Sequence, residues 1–360
     1  MILKHGTVSI VADVKIVYNR KKNTTWKGIG FFMVKDEVLR ALENSRGLRI
    51  SGGRLAQELG VSRAAVWKAI ESLRAEGMQI ASTPGGGYCL PASDDSLTAP
   101  GVSALLHTHC FGHDLIVLPE TDSTNTAIKQ HYAATKGEGF TFIAERQTAG
   151  RGRLGRCFHS SSGLGLYASV LLRPKMPLEH LNFLTIAAAV AVCQTIETCC
   201  GLCPQIKWVN DVLLDGRKIC GILTEASIEG ETGCIDYAIV GIGVNFRLDR
   251  DSLPPDVQAV AGALADFTDE LPRRAVLAAE LLNQLETLYD HLCAGRTDEV
   301  LAPYRKRLSY LDQPIRVLAP TGAYDAICRG VNDAGNLLVE RPDGTRETLQ
   351  SGEISTRPLV

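Results

Sequence analysis

Gly150-Arg151-Gly152-Arg153-Leu154-Gly155-Arg156 decides between two folds. Its glycines fit G-x-G-x-x-G, the dinucleotide fingerprint, which needs a strand before it and a helix opening on it. Phe140 to Ala144 reads as a strand. After the glycines come Cys157 to Gly163 and then Leu164 to Leu172, a polar turn and a second strand, with no helix to receive a pyrophosphate. The Rossmann reading fails on context. What remains is a loop between strands in which glycines let the backbone approach a ligand and arginines offer planar donors to phosphate or carboxylate oxygens. A solvated hairpin tip is the plainer alternative. Three arginines in seven residues favour an anionic ligand.

Around this loop, 360 residues suggest two or three domains, and 45% hydrophobic with 22% charged residues suit ordinary globular cores. A net charge of −2 rules out a molecule that binds nucleic acid over its whole surface, so any basic patch is local. No apolar run reaches membrane-span length, and Met1 to Lys22 lacks the apolar core of a signal peptide, so no membrane association is expected. The eleven cysteines sit inside apolar patterns and read as free thiols of a cytoplasmic protein. Cys199, Cys200 and Cys203 lack a second Cys/His pair at zinc spacing, so no protein-bound metal is expected.

Residues 1–33 carry six Lys/Arg against Asp13, either a basic arm or the product of a start codon assigned upstream of Met33. A first domain is expected over 34–92. Val38, Leu39 and Leu42 mark a short helix ending near Arg46-Gly47, and Ser51 opens a second helix, Gly53 to Leu59. Ser62 caps a third, Arg63 to Glu76, which stops at Gly77. Met78 to Ile80 and Tyr88 to Leu90 read as strands joined by Pro84-Gly85-Gly86-Gly87. Three helices followed by such a hairpin make a winged helix-turn-helix, whose third helix offers Arg63, Trp67 and Lys68 to DNA. Its eight Lys/Arg against six Asp/Glu give only +2, so one module should bind weakly.

After the polar linker Pro91 to Ser96, residues 93–308 alternate helices and strands as an α/β domain does. Helices are expected at Ala127 to Tyr132, Asn182 to Cys199 and Arg274 to Cys293, and strands at Gln205 to Trp208, Leu213-Leu214, Ile219 to Glu225 and Tyr237 to Val244. Residues 309–360 should form a small barrel of three or four short strands. Polar residues gather in Asp122-Ser123-Thr124-Asn125, Gln147 with the arginine loop, Lys207-Trp208-Val209-Asn210-Asp211, Gly216-Arg217-Lys218-Ile219-Cys220-Gly221 and Gly241-Ile242-Gly243-Val244-Asn245. Lys218 reads as part of a short polar loop.

In order and spacing these segments resemble the biotin–protein ligase family, in its bifunctional form that also represses the biotin operon. The likeness covers nearly everything from Val34 onward and rests on GRGRLGR, KWVND, GRKICGIL and GIGVN. The family usually carries KWPND, and Val209 replaces the proline without removing a functional group. The resemblance implies an α+β chain: a winged helix-turn-helix, a central catalytic domain with a mixed sheet and flanking helices, and a C-terminal SH3-like barrel.

It also implies a chemistry. Biotin and ATP would form biotinyl-5′-AMP, with Mg²⁺ on the phosphates, and biotin would pass to a lysine of the biotin carboxyl carrier protein of acetyl-CoA carboxylase. The adenylate would act as co-repressor on operator DNA, bound by a homodimer. By the same resemblance Ser123, Thr124, Asn125 and Gln147 hold the ureido ring, and Leu164, Gly165 and Ile222 wall the apolar rings. Arg151, Gly152, Arg153 and Lys218 also contact biotin, with Lys218 and Arg153 catalytic. Arg156, Phe158, Lys207, Asn245 and Arg357 join Arg151 and Arg153 around ATP. A lipoate or octanoate ligase is the rival enzyme, and a repressor whose enzyme domain has decayed into a biotin sensor is the rival of another class. An aliphatic acyl tunnel would mark the first, and loss of the arginines or Lys218 the second.

Overall fold

The computed structural model describes residues 27–83, 85–229, 234–319, 322–350 and 355–358, with backbone alone for 27–33 and 355–358. The expected basic arm therefore lies almost wholly outside the described residues, as do Pro84 of the hairpin turn and residues 351–354.

Helices α1 (Lys27–Asn44), α2 (Gly52–Glu58) and α3 (Arg63–Ala75) enclose a core of Val38, Leu39, Leu55, Val66, Ile70 and Leu73. The hydroxyls of Ser51 and Ser62 accept the backbone N–H of Arg54 and Ala65 at 3.1 Å, the expected N-caps. Gly77 follows α3 with φ 96°, open to glycine at little cost. Two expectations shift here. Helix α1 starts at Lys27, upstream of Val34. Met78 to Ile80 is not a strand, because the Arg74 guanidinium occupies the Ile80 carbonyl while Met78 and Ile80 are buried in the core. The wing is instead β1 (Ala81–Thr83) paired with β2 (Gly87–Cys89), with Ile50 bridging Tyr88 on the other side.

The linker is clamped. Arg274 sits buried with its Nε 2.8 Å from Asp95 and its Nη1 2.5 Å from Glu145. Arg273 meets Glu43 of α1 at 2.9 Å.

The central domain contains α4 (Ala99–Ser103), β3 (Leu115–Leu118), α5 (Thr124–Ala127), β4 (Thr141–Ala144), β5 (Gly165–Leu172) and α6 (Leu181–Cys200). It continues through β6 (Gln205–Lys207), β7 (Asp211–Leu214), β8 (Arg217–Ile228), β9 (Ile235–Asn245), α7 (Pro255–Gln258), α8 (Arg274–Cys293) and α9 (Asp298–Arg307). The expected helix 127–132 is α5 followed by a single π-turn, Ile128–Tyr132. The seven strands run β3-β4-β5-β9-β8-β7-β6, with β3 and β4 parallel and all other neighbours antiparallel. Helix α6 is long and apolar enough to cross a membrane, but it is mostly buried, packed against α8, α9 and β8.

Period-2 alternation sorts the sheet into two faces. Leu166, Ala168 and Val170 of β5, with Val240, Ile242 and Val244 of β9, belong to the core around α6 and α8. The residues between them, Ser169, Gly241 and Gly243, therefore point to the other face. Register places Ser169 opposite Gly241, and Gly221 and Leu223 of β8 opposite Gly243 and Gly241. Around Ser169, Gly241 and Gly243 that face is small or polar where the first is bulky.

Glu286 of α8, almost fully buried, holds the connection before β3. Its carboxylate accepts the backbone N–H of His109, Cys110 and Phe111 at 2.7, 2.7 and 2.8 Å. Glu286→Ala strands all three donors and should lower unfolding free energy by about 3 kcal/mol, since each unsatisfied buried group costs roughly 1–3 kcal/mol. Urea titration would read this as a lower midpoint at unchanged slope. A loss under about 1 kcal/mol would mean water replaces the carboxylate.

The tail is an antiparallel sheet of five strands, one or two more than expected: β10 (Pro314–Ala319), β11 (Gly322–Val331), β12 (Leu337–Glu340), β13 (Arg346–Leu349) and β14 (Ser355–Pro358), in the order β13-β12-β11-β10-β14. Its β11–β12 turn reaches the central domain, where Trp208 Nε1 donates to Gly335 O at 3.0 Å.

Candidate functional site

One cleft opens on the small-residue face of the sheet. Ser123, Thr124, Asn125, Gln147, Arg151, Gly152, Arg153, Arg156, Phe158, Lys207 and Lys218 all line it, drawn from segments up to 95 residues apart. Its apolar wall differs from the expected one. Trp208 and Leu223 line it, Ile222 and Ile242 border it although both belong to the core behind the sheet, and Leu164 and Gly165 do not reach it. Gly165 instead lies against the Tyr167 ring, which a Cβ there would meet at 2.6 Å.

The glycines of GIGVN have a steric reason. A Cβ on Gly241 would lie 2.2 Å from Asn125 Oδ1, and one on Gly243 would lie 2.5 Å from the Phe158 ring. Neither neighbour could hold its place over a side chain there. Phe158 lies across the strands, edge-on to Tyr167 with ring centroids 6.3 Å apart.

At the polar end, Gln147 accepts the Thr124 N–H at 2.8 Å through Oε1 and donates to Ser160 Oγ at 2.8 Å through Nε2. Ser169 Oγ lies 2.6 Å from Thr124 Oγ1 and 2.7 Å from Asn125 Oδ1. Asn125 Nδ2 donates to Leu223 O at 3.1 Å and Glu225 Oε2 at 3.0 Å. Ser123 stands at the N-cap of α5 without a side-chain cap bond, so capping does not account for it. Ser169 and Glu225 were not anticipated. Strand alternation carries the signal for both, since Ser169 breaks the apolar run of β5 at an out-facing position.

At the cationic end, the arginine loop contains a single 3-10 turn, Arg153–Gly155, and Leu154 at its tip has φ 56° and is exposed. Arg151 reaches Glu225 at 3.2 Å and Arg153 Nη1 reaches Asn210 Oδ1 at 3.1 Å. Arg153 Nη2 is buried without a partner. Burial pushes the Arg153 guanidinium below its ordinary range and Arg156 pushes the same way, against Asp211. Its charge is under-compensated, which favours an incoming anion.

Lys218 lies on a strand, not in a polar loop. Asp215 and Gly216, with φ 45° and 76°, form the tight β7–β8 turn, the Asp-Gly signature of a two-residue hairpin. A register shift follows, because Leu213 pairs with Lys218 while Val212 pairs with Cys220. Such an extra residue re-aims its neighbours. Lys218 Nζ meets Asp211 Oδ1 at 2.6 Å beside the glycine backbone of Gly221.

Two expected ATP contacts are not brought together with the rest. Asn245 stands outside the cleft lining, its Nδ2 donating to Gly262 O at 2.9 Å. The backbone of Arg357 pairs with Arg316 in the C-terminal sheet, and its side chain is outside the described residues. Arg63, Trp67 and Lys68 share the exposed face of α3, far in sequence from the cleft, with the Arg63 guanidinium over Gly53.

Three family models match in turn: an HTH domain over residues 35–89, the Biotin/lipoate A/B protein ligase family over 117–245 and the Biotin protein ligase C terminal domain over 310–357. The bifunctional ligase/repressor BirA of Bacillus subtilis is 34% identical over 299 residues, covering 83% of this chain and 91% of that protein. The protein of the same name from Escherichia coli is 32% identical over 311 residues, covering 85% and 92%. A solved biotin protein ligase from Aquifex aeolicus, in complex with biotin and ATP, superposes with TM-score 0.60 at 29% identity over 69% of this chain and all of that one. With its winged helix, ligase cleft and C-terminal sheet in that order, the chain belongs to the bifunctional biotin–protein ligase/repressor family.

Proposed function

We propose that this chain joins biotin to ATP, forms biotinyl-5′-AMP and transfers biotin to a lysine of a biotin carboxyl carrier protein. The observation that carries this reading is a single cleft with a hydroxyl and amide pocket at one end and Arg151, Arg153, Arg156 and Lys218 at the other. A carboxylate oxygen of biotin attacks the α-phosphorus of ATP and pyrophosphate leaves. The carrier lysine then attacks the acyl carbon and AMP leaves. Two anions must meet in the first step, so cations have to neutralise them. Lys218, fixed by Asp211, serves the reacting carboxylate and α-phosphate oxygens, while the arginine loop folds on the remaining phosphates. Phe158 offers its ring to the adenine, and Lys207 adds charge beside the phosphates.

Mg²⁺ fits this cleft as an ion carried by ATP. Among the described residues no group of three His, Cys, Asp or Glu comes together, so the protein supplies no cage, and Mg²⁺ commonly keeps its waters and the nucleotide's oxygens as ligands. It would supply charge neutralisation at the phosphates. No disulfide joins any of the eleven cysteines, which supports a reducing, cytoplasmic setting.

ATP–pyrophosphate exchange tests the reading. Exchange should depend on biotin and not on lipoate, because a polar pocket around Ser123, Thr124 and Gln147 suits a ureido group and penalises an aliphatic chain. Exchange driven by lipoate alone would overturn it.

The winged helix completes the proposal as an operator-binding domain that represses transcription. Its weak charge makes a monomer a poor binder, and a homodimer on a palindromic site gains from effective concentration. The glycine-rich loop 150–156 becomes ordered around the adenylate and completes the dimer surface. Biotin plus ATP should therefore tighten operator binding by at least about 10-fold and shift sedimentation from monomer to dimer. Equal affinity and unchanged mass in both conditions would uncouple the two domains.

A further inference from the structure

The pocket's hydrogen bonds contain a proton count that fixes which of its groups donate. Asn125 Nδ2 faces two acceptors, the Leu223 carbonyl and the Glu225 carboxylate. Only the amide nitrogen satisfies both, so the orientation of Asn125 is set and Oδ1 must face Ser169. An amide oxygen cannot donate, so Ser169, 2.7 Å away, spends its one proton on Asn125. Two hydroxyl oxygens 2.6 Å apart need a proton between them, and with the Ser169 proton on Asn125 that proton is Thr124's. Gln147 Oε1, which already accepts the Thr124 backbone N–H, is a second and longer acceptor for that hydroxyl at 3.2 Å, so the Thr124 proton is held by protein on either side. Thr124 reaches the cleft with lone pairs only.

We infer that buried Ser169 is a positioning residue that makes Thr124 an obligate acceptor, and so selects a ligand with an N–H at that point. The relay Thr124 to Ser169 to Asn125 runs one way because Glu225 and Leu223 O anchor its far end. Glu225 also holds Arg151 through its other oxygen, at 3.2 Å. The same carboxylate thus ties the hydroxyl pocket to the arginine loop. Asn125 has its amide committed to protein partners and acts through Thr124 rather than by touching the ligand. This inference rests on the proposed reading of the cleft as a biotin site, and extends it to two residues outside the four stretches that carry the resemblance.

Gly241, opposite Ser169, is part of the same arrangement, since any side chain there would displace Asn125 Oδ1. In Ser169→Ala the Thr124 proton loses its nearer acceptor and is left with Gln147 Oε1 at 3.2 Å, a long bond to an oxygen that already accepts the Thr124 N–H. The hydroxyl can then rotate to donate to a ligand as well as accept from one.

The test uses the full chain with biotin and with the two cyclic carbamates in which one ureido N–H is replaced by ring oxygen. KM and kcat are read from ATP–pyrophosphate exchange, and binding of each compound without ATP from calorimetry. The wild-type chain should prefer biotin over at least one carbamate by about 10-fold or more, because a site built around an N–H rejects the isostere that lacks it. Ser169→Ala should cut that preference about 10-fold, acting on KM and binding with kcat nearly unchanged. Ser169→Cys, which restores volume and a weak donor, should recover much of the preference and shows that the alanine effect is not a folding defect. Loss of affinity for biotin and both carbamates by one common factor in Ser169→Ala would overturn the proton order alone. Absence of biotin-dependent exchange in the wild-type chain would overturn both this inference and the biotin reading beneath it.

Discussion

Lys218→Ala lowers biotin-dependent ATP–pyrophosphate exchange about 10²–10³-fold or more, the usual effect of removing one preorganised charge from a reacting oxyanion. The geometry gives a reason to expect the upper end. Lys218 is paired with Asp211 at 2.6 Å, so its removal leaves an uncompensated carboxylate where phosphate oxygens must come. The cleft changes from neutral to repulsive at that point. The fold should tolerate the change, because the side chain is partly exposed and a pair of that kind contributes only about 0–1 kcal/mol to stability. The thermal midpoint therefore separates chemistry from folding, and should stay within a few degrees of wild type. Removing the excess negative charge as well, in Lys218→Ala with Asp211→Asn, should recover part of the exchange. Near-normal exchange in the single variant would remove Lys218 from the chemistry.

The contrast between Lys218 and Asp211 shows what a chain reveals before it folds. Lys218 is legible because it sits in a motif with Arg217 and Gly221, and the motif travels as a unit. That it lies on a strand, turned by a bulge after Asp215-Gly216, is less legible, since a bulge depends on how β7 and β8 register. The helices with local signals come through well: Ser51 and Ser62 cap α2 and α3, and the largely apolar stretch Leu181–Cys200, interrupted by Asn182, Gln194 and Glu197, is α6. Met78 to Ile80 misleads because its apolar alternation matches a strand while a single guanidinium, Arg74, takes the carbonyl a strand partner would need. Leu164 and Gly165 mislead for a related reason. Being close in sequence to the loop, they look like its wall, yet the wall is supplied by β8, β9 and Trp208. Ser169 and Glu225 are invisible in motif terms because their partners lie 44 and 100 residues away on Asn125.

Arg153→Met should reduce exchange about 10²-fold while leaving the protein as stable as before, or more so. The two halves of that expectation come from one observation. Arg153 satisfies one guanidinium nitrogen through Asn210, and buries another without any partner. Burial and the charge of Arg156 both work against its protonated form, with Asp211 and Tyr304 opposing. A group so placed is a liability to the empty fold and an asset once an anion arrives. Methionine keeps the unbranched bulk and removes the unsatisfied donor, so chemical denaturation should show no loss of stability. Arg153→Lys should not restore activity, because an ammonium cannot supply the planar pair of donors a phosphate takes from guanidinium. The ligand-bound state should then separate the variants further. Biotin plus ATP should raise the wild-type thermal midpoint and barely move that of Arg153→Met, as linkage requires when affinity falls. If Arg153→Met instead loses several kcal/mol of stability, far beyond the roughly 1–3 kcal/mol of a single buried donor, Arg153 is structural and the anion site reduces to Arg151 and Arg156. If it keeps full exchange at unchanged stability, the unpartnered nitrogen has no part in binding, and the charge that ATP meets comes from Lys218, Lys207 and the other two arginines of the loop.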